Sequence, residues 1–557
     1  MKRRNAFAFL LALVMILGCM TGCQPEVQTS TEPEGTEKTT EGAPAQSTEG
    51  ETSTVEVNEP QYPLVKDGEE VTLKGVLFLT DHNSEDTERL TWQKLEEVTG
   101  VNIELEVVDE AAMNTYLASN DWPDFFLAKF NDTLAYDYGV IGGRFVNLLD
   151  YIELMPNLAQ TFEEFPAAKN GFILSNGEMY KFPRIEVAVT TVAVRQYWRT
   201  DLLEDYGLKT PTTVDEFKQT LATLKEKTGQ VQWIPNMGKA GITNAWNPGM
   251  FAAFGEYVEM TFEAEDDGKV TFIRSTDQMR RYYEYMNDLY ENELIHQECF
   301  SIDSKLAKSL EQEGNMLVLD RAAGSMTAEM LKDGKWSYLS CSAPLTSQWD
   351  STQVVKAANP VSDTRGPYLN ANSKHVELMC KVFDIMYATE EVVEGSGLSG
   401  MSFTYGIEGE HWAIAEDGKS YEQIVPAGYE GTWGQLQSEK LIIGGNLGRA
   451  TELSRMVTST PGNAQARQQS FVDYVWPYVA DEAFPETYLS FTEDEQRVID
   501  QKWTEIESYI YEMEAKFISG VVDIETGWDN YVKTLDQMGL QDVMKVYQAA
   551  YDRWCAY

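Results

Sequence analysis

Positive charge is scarce in this sequence. Its 557 residues include 44 Lys and Arg against 89 Asp and Glu, and the formal net charge is −45. Nucleic-acid binding takes much of its affinity from basic contacts with phosphates, and anionic lipid headgroups likewise attract basic segments. The charge balance therefore excludes a nucleic-acid-binding protein, and it excludes a protein that is held at a membrane by electrostatic attraction.

Catalytic motifs are also missing. The sequence contains four histidines, which are far apart, and it has no HExxH motif, no GxSxG nucleophile motif and no GxxxxGK[ST] phosphate-binding loop. The run EDDG at residues 265–268 lacks the spacing of a calcium loop and predicts an exposed turn. The sequence gives no support to metal catalysis or to a His-based triad, and we expect neither a metal nor another cofactor.

Cysteine is rare, with six residues in the whole chain. The four in the main body are at least 39 residues apart, so they form no metal-binding pair. An exported protein can form disulfides, but a chain with a large core does not depend on them. We therefore expect buried free thiols at Cys299, Cys341, Cys380 and Cys555.

A long apolar run is present at the N-terminus, where residues 6–17 follow the basic residues 2–4. Its length is typical of the core of a signal peptide rather than of a membrane-spanning helix. Residues 20–23, Met-Thr-Gly-Cys, resemble the lipobox of bacterial lipoproteins, whose cysteine is diacylated and becomes the new N-terminus. Residues 16–19 are a weaker candidate of the same kind, and an ordinary secretory signal is the alternative. We expect lipidation at Cys23.

Residues 24–60 consist mostly of Glu, Thr, Ser, Pro, Gly and Gln. Their nine Glu and one Lys give this segment a net charge of −8. Such a composition cannot bury enough apolar surface to offset the entropy of the chain. We therefore expect residues 1–22 to be a signal peptide and residues 23–60 to be a lipidated N-terminus with a disordered tether.

The remainder of the chain is globular in composition, because 43% of all residues are hydrophobic and 11% are aromatic. A strand at 71–79, a helix at 88–98 and an alternating strand at 101–107 predict an α/β layered fold. Capping-box patterns begin helices at Thr213 and Thr492, and Ser373 begins another.

A series of motifs, in order along the chain, resembles the extracellular solute-binding proteins that serve carbohydrate ABC importers. The likeness extends from about residue 62 to residue 553. In the first half the motifs are WQKLEEVTGVNIELEV at 92–107, WPDF at 122–125, FVNLLDYIELMPN at 145–157, NGEMYKFP at 176–183 and WRTDLLEDYGLKTPTTVDEF at 198–217. In the second half, residues 370–387, 403–412 and 491–553 are similar to a long-chain subgroup of lipid-anchored oligosaccharide binders.

The resemblance implies a two-lobed α/β fold of the type II periplasmic-binding-protein kind, with a hinge, a ligand cleft between the lobes and additional C-terminal helices. Lobe one is expected from residues 61–190 and 346–405, and lobe two from residues 191–345 and 406–557. Some members of the subgroup carry a calcium loop after the helix that begins near Thr213. Here that segment supplies a single acid, and no calcium is expected.

The resemblance also implies a function. It predicts a lipid-anchored, monomeric binding protein at the extracellular face of the cell membrane. This protein would capture an oligosaccharide by hinge closure and deliver it to the transmembrane subunits of an ABC permease. It would catalyse no reaction.

A sugar has an apolar face and a rim of hydroxyls, so its site needs aromatic platforms and planar polar groups. Trp122, Trp246 and Trp433 lie in loop-like stretches beside Pro, Gly or Asn, and Tyr405 lies near an expected crossing between lobes. For each of these rings, packing in the core is an equal alternative. The tryptophans on helical or crossing segments are instead predicted to be structural: Trp92, Trp198, Trp503 and Trp528.

Polar candidates for the sugar hydroxyls follow strand-like segments of lobe one, since strand ends line the crevice of an α/β sheet. They are Asp81 and Asn83 in one loop and Asp124 in the next, with a solvated loop acid or a helix cap as the alternative for each. Arg195 is a charged residue on an apolar crossing segment and needs a partner or the cleft. Arg321 is a further candidate.

Two other function classes stay open at this point. A secreted glycan hydrolase would need two cleft carboxylates about 5 Å apart or about 6.5–9.5 Å apart. A binder of peptides or of another polar solute would have charged anchors in its cleft and few aromatic platforms.

Overall fold

The structure is a computed structural model. It describes residues 61–66, 68–78, 89–185, 196–231, 233–235, 250–302, 306, 309–310, 316–320, 339–356, 361–362, 366–400, 402–418, 420–442, 447–450, 457–458, 463–480 and 483–557. The predicted signal peptide, Cys23 and the tether lie outside these residues.

Short strands and helices of very different lengths make up the described part. The strands are β1 Val71–Phe78, β2 Val101–Val108, β3 Phe125–Ala128, β4 Arg184–Ile185, β5 Gln196–Arg199, β6 Phe262–Ala264, β7 Val270–Phe272, β8 Val318–Asp320, β9 Leu339–Cys341, β10 Val361–Ser362, β11 Gly366–Leu369, β12 Trp412–Ile414, β13 Ser420–Gln423 and β14 Val457–Thr458. The α-helices are α1 Leu90–Thr99, α2 Glu110–Ala118, α3 Asp132–Ala135, α4 Pro156–Glu164, α5 Pro166–Asn170, α6 Thr200–Asp205, α7 Val214–Thr228, α8 Asp277–Glu291, α9 Val376–Asp384, α10 Ser402–Tyr405, α11 Trp433–Leu436, α12 Asn463–Tyr474, α13 Glu493–Ile518, α14 Ile524–Met538 and α15 Leu540–Ala556. Short 3₁₀ helices occur at Leu148–Leu154, Phe251–Phe254, Ile273–Ser275, Ile385–Tyr387, Trp476–Tyr478 and Glu486–Tyr488, and π-helical turns at Tyr136–Ile141 and Gln437–Leu441.

The first core is built on a sheet with the strand order β11-β3-β1-β2. β1 runs parallel to β2 and β3, and β11 is antiparallel to β3. Successive side chains of a strand point to opposite faces, and both Val76 and Leu77 of β1 are buried. The sheet is therefore covered on both sides, which explains why all four residues of β3 are apolar.

Each face of this sheet has its own hydrophobic cluster. Trp92 of α1 packs with Leu77 and Phe125 on one face, and Met113 of α2 packs with Val76 on the other. Trp92 is buried and stacks on Phe125 with 6.4 Å between ring centroids, which confirms its structural role.

A second core lies further along the chain. The sheet β8-β5-β9, the hairpin β6–β7, α7, α8 and the long C-terminal helices α13, α14 and α15 pack around it. Trp198 and Trp528 are buried there and Trp503 packs against it, as predicted from their helical or crossing positions. The predicted turn at 265–268 connects β6 to β7, with Gly268 in the left-handed region.

Of the three helix starts predicted from the sequence, one is confirmed in full, one in part, and one is wrong. Thr492 and Glu495 form the predicted reciprocal capping box of α13. Thr213 accepts from the Glu216 amide as predicted, but the Glu216 carboxylate accepts from the backbone of Thr212 instead of returning to Thr213. The prediction at Ser373 is wrong, because α9 begins at Val376.

The four cysteines of the described body are free thiols. Cys299, Cys341 and Cys380 are buried, as predicted, and burial raises the pKa of Cys299 and of Cys380 to about 12. The prediction of burial is wrong for Cys555, which is exposed near the end of α15.

A small aromatic cluster formed by residues 402–450 contacts the first core through α1. Arg89 donates from Nε to the carbonyl of Ile442 at 3.2 Å, and Thr91 donates from Oγ1 to the carbonyl of Leu441 at 2.7 Å.

The lobe boundaries expected at residues 190, 345 and 405 stay a prediction. Within the described part of the chain, no helix has the length and apolar composition needed to cross a bilayer.

Candidate functional site

A cavity of about 430 Å³ opens beside the first core. The first core contributes the segment after β3, the turn at 171–174, residues 180–181 and a residue of β11. The 487–490 segment, just before α13, closes the other side. The lining residues are Lys129, Phe130, Asn131, Asp132, Ala135, Gly171, Phe172, Ile173, Leu174, Tyr180, Lys181, Tyr368, Thr487, Tyr488 and Ser490.

The carboxyl end of β3 supplies the polar floor of this cavity. Lys129, Asn131 and Asp132 follow the strand directly. Asn131 caps α3 by accepting a hydrogen bond from the Leu134 amide at 2.9 Å. Crevices at the carboxyl ends of parallel strands are where α/β folds bind ligands, so this position fits a binding site.

Aromatic rings form one wall. The Phe130 and Tyr368 rings lie 4.9 Å apart, and the Tyr368 hydroxyl donates to the Phe130 carbonyl at 3.4 Å. The Lys181 ammonium lies 4.7 Å from the centre of the Phe172 ring. Burial raises the pKa of Tyr180, and a hydrogen bond from its hydroxyl to Glu178 adds to the shift, so this phenol stays protonated at neutral pH.

The opposite wall is tied to the first core by direct contacts. The Ser175 amide donates to Oγ of Ser490 at 3.0 Å. The Tyr488 side chain lies so close to Gly171 that a Cβ at position 171 would be 3.5 Å from it. The wall is therefore fixed in place by packing as well as by a hydrogen bond.

A second cavity of about 290 Å³ adjoins the first and shares Asp132, Leu174 and Ser490 with it. It extends along the start of α13. Its further lining residues are Thr133, Tyr136, Asp137, Ile141, Ser175, Phe491, Glu493, Gln496, Arg497 and Asp500.

The lining of the first cavity combines five aromatic rings with hydroxyl, amide and ammonium groups. Rings and hydrogen-bonding groups of this kind suit a ligand with an apolar face and several hydroxyls. Asp132 is the one acid among its lining residues, all of which belong to the described part. These residues therefore do not supply the pair of carboxylates that a glycosidase needs.

Asp124 requires a correction. It directly precedes β3 and so lies at the amino end of that strand, whereas the sequence argument expected it in a loop that follows a strand-like segment. Its carboxylate accepts from the Lys74 amide at 2.8 Å and from the Ser373 hydroxyl at 2.5 Å. Asp124 thus joins β1 to the segment before α9, and contact with a ligand stays a prediction.

Trp122 is half-buried in the cluster on the second face of the first sheet. The Arg144 guanidinium lies 3.6 Å from the centre of its ring, and the Phe126 and Phe145 rings are both 5.0 Å away. Its surroundings agree with the core-packing alternative, and it does not line either cavity.

Tyr405 and Trp433 lie together in the aromatic cluster of residues 402–450. Their ring centroids are 5.9 Å apart, both side chains are buried, and the Trp433 indole donates to the His411 carbonyl at 2.8 Å. The structure brings these two predicted residues together, although not at the cavity; their role as platforms stays a prediction. Asp81, Asn83, Arg195, Trp246 and Arg321 lie outside the described residues.

The sequence argument missed the segment after β3. The signal was present, because FFLA at 125–128 is a short apolar run followed by polar residues. It missed the 487–490 wall for a different reason, since nothing local in that stretch marks it as a neighbour of β3.

Comparison with known proteins adds independent findings. Residues 83–290 match the family model described as bacterial extracellular solute-binding protein, and residues 487–556 match a domain of unknown function, DUF3502. The chain is 26% identical over 513 residues to the fructooligosaccharide ABC transporter substrate-binding protein FusA of Streptococcus pneumoniae, with 88% of this chain and 91% of FusA covered. It is 28% identical over 164 residues to the lipoprotein LipO of Bacillus subtilis, which covers 29% of this chain and 31% of LipO.

Solved structures show the same fold. FusA of S. pneumoniae in complex with kestose superimposes with a TM-score of 0.62 at 22% identity, covering 87% of this chain and 99% of FusA. An HMO-binding solute-binding protein from Bifidobacterium longum infantis gives a TM-score of 0.65 at 18% identity, covering 88% and 99%. The fold class predicted from the sequence is thereby confirmed. The chain has the two-lobed α/β fold of these solute-binding proteins, with additional C-terminal helices.

Proposed function

We propose that this protein is the extracytoplasmic binding component of an ABC importer and that its ligand is an oligosaccharide. The first cavity carries the proposal, because its lining combines five aromatic rings with polar groups of several kinds. Rings can cover the C–H face of a sugar while hydroxyls, amides and ammonium groups bind its rim. The relative FusA, whose name gives fructooligosaccharide as its substrate, supports the same ligand class.

The protein acts by ground-state binding. Closure of the two lobes over the sugar removes water from the cavity, and release to the permease follows when the lobes open. Asp81, Asn83, Trp246, Arg195 and Arg321 remain candidates for further contacts with the ligand. No catalytic step is assigned to any residue.

Attachment to the membrane completes the proposal. Cys23 is the lipidated residue, and residues 24–60 form the tether between the anchor and the folded body. The partial likeness to the lipoprotein LipO supports this placement at the extracellular face. We expect the folded body to act as a monomer.

A thermal-shift screen of the protein without residues 1–22 tests the proposal. The panel contains kestose, nystose, alginate oligosaccharides and, for comparison, mixed tri- and pentapeptides. A ligand at about 100 times its Kd adds about 2.7 kcal/mol to the free energy of unfolding, which gives a clear rise in Tm. We expect at least one oligosaccharide to produce this rise and to be recovered intact by chromatography.

Two outcomes would contradict the proposal in different ways. Stabilisation by peptides alone would replace the sugar with another solute. Shortened sugars after incubation would identify a glycan hydrolase.

A further inference from the structure

The C-terminal region 487–556, which matches a family model of unknown function, forms part of the cavity wall. Thr487, Tyr488 and Ser490 stand at the start of this region and line the first cavity. The remainder consists of α13, α14 and α15. Because residues 487–490 lead directly into α13, the packing of the helices can determine the position of this part of the cavity wall.

The three helices are held firmly in the second core. The Tyr547 ring of α15 stacks on Phe262 of β6 with 4.0 Å between centroids. The Gln548 side chain of α15 accepts from the Val270 amide at 2.7 Å and donates to the Gly268 carbonyl at 2.9 Å. The middle of α15 is therefore bound to the β6–β7 hairpin.

The end of α15 contacts the first core instead. The Tyr557 hydroxyl donates to the Leu174 carbonyl at 3.2 Å, and Lys169 donates from Nζ to the Tyr557 carbonyl oxygen at 3.1 Å. Asn170 donates from Nδ2 to the Trp554 carbonyl at 3.0 Å. These contacts hold the 169–174 segment, which itself lines the cavity.

Arg553 connects this contact zone to the opposite wall. Its guanidinium pairs with the Glu495 carboxylate at 2.5 Å and donates to the Ser490 carbonyl at 3.0 Å. Ser490 in turn accepts from the Ser175 amide. Arg553 and Glu495 are largely buried, with 25% and 16% of their side chains exposed, so their pairing is better shielded from water than a surface ion pair.

We infer that the C-terminal region is an affinity-determining part of the binding site. Tyr488 and Thr487 contact the oligosaccharide, and the contacts of Arg553 and Tyr557 position them against the first core. Arg553 is a positioning residue, because it acts through Ser490. This inference rests on the proposed function, since it presumes that a sugar occupies the cavity.

The test compares Tyr488→Ala and Arg553→Met with the wild type by isothermal titration with the panel oligosaccharide that gives the largest thermal shift. We expect Kd to rise about tenfold for Tyr488→Ala, because an aromatic face against the ligand is lost, and about threefold or more for Arg553→Met. Tyr206→Ala and Arg280→Met are the matched controls. Tyr206 is 39% exposed, Arg280 pairs with Glu284 on α8, and neither lines either of the two cavities described above.

Hydroxyl-radical footprinting gives a second readout on the wild type. Modification of Tyr488 should fall when the same oligosaccharide saturates the protein, whereas that of Tyr206 should not. Because it uses the wild type, this measurement still tests the contact between Tyr488 and the sugar if Arg553→Met does not fold.

The outcomes separate the two proposals. If the wild type binds a sugar and Tyr488→Ala binds it equally well, with unchanged footprinting at Tyr488, the inference is overturned and the proposed function stands. A lower Tm without any change in Kd for either variant would likewise show a structural role alone. If no oligosaccharide of the panel binds the wild type, the proposed function fails and the inference fails with it.

Discussion

Asp384 is a buried carboxylate that joins two distant segments of the first core. It lies on α9, and its oxygens accept from the Leu158 amide at 2.8 Å and from the Asn157 amide and side chain at 3.2 and 2.8 Å. It therefore caps α4 from another helix. Burial nevertheless raises its pKa to about 7, because desolvation of the charge outweighs the hydrogen bonds that favour it.

This pKa predicts a pH dependence of stability. The folded-state pKa exceeds the unfolded value of 3.8, so the native state binds more protons between these two values and the free energy of unfolding falls as the pH rises from about 4 to about 7. Asp384→Asn cannot titrate in this range. Between about pH 4 and about pH 7, the free energy of unfolding of the wild type should therefore fall by on the order of 4 kcal/mol relative to that of Asp384→Asn. Urea unfolding at pH 4 to 8 measures the difference. Parallel profiles would mean that the three N–H donors hold the pKa at its ordinary value.

Residue roles were the hardest part to predict. Trp92 and Trp528 were predictable as core residues because helical periodicity places them on a buried face. Trp122 and Trp433 have no such local pattern. Their surroundings come from Arg144 and from His411, which the sequence does not mark as neighbours.

At the scale of elements, α13 was the most predictable. Its start is specified by Thr492 and Glu495 and its end by Ser519 before Gly520, so all its signals are local. β3 was less predictable, because a four-residue strand buried on both faces has no alternation. Its partner β11 is more than 230 residues away in the chain, so the pairing depends on tertiary contacts. The sequence argument therefore took Asp124 to follow a strand-like segment, whereas Asp124 directly precedes β3.

The cap of α13 gives a prediction at this scale. Thr492→Ala removes the oxygen that accepts from the Glu495 amide and should lower the free energy of unfolding by about 1 kcal/mol. Thr504→Ala is the matched control, since Thr504 is exposed within the same helix and alanine favours a helix interior. Chemical denaturation of both variants is the measurement. Equal stability of the two would show that α13 is held by packing alone.

At the scale of the whole molecule, charge and membrane location have to be reconciled. A net charge of −45 opposes adsorption to an anionic bilayer. A covalent anchor is independent of that charge, because its binding comes from buried CH₂ groups at about 0.8 kcal/mol each. Two acyl chains on one cysteine are enough for stable attachment.

The anchor is tested by replacing each of the two candidate cysteines. Cys23→Ser should move the protein from the membrane fraction to the medium of a Gram-positive expression host, whereas Cys19→Ser should leave it in the membrane fraction, because the residues before Cys23 fit a lipobox better. Metabolic labelling with an alkyne-bearing palmitate and immunoblotting of both fractions supply the measurement. If Cys19→Ser and not Cys23→Ser released the protein into the medium, Cys19 would be the lipidated residue. A wild type found in the medium without label would favour an ordinary secretory signal, and the importer would then have to capture its binding protein from solution.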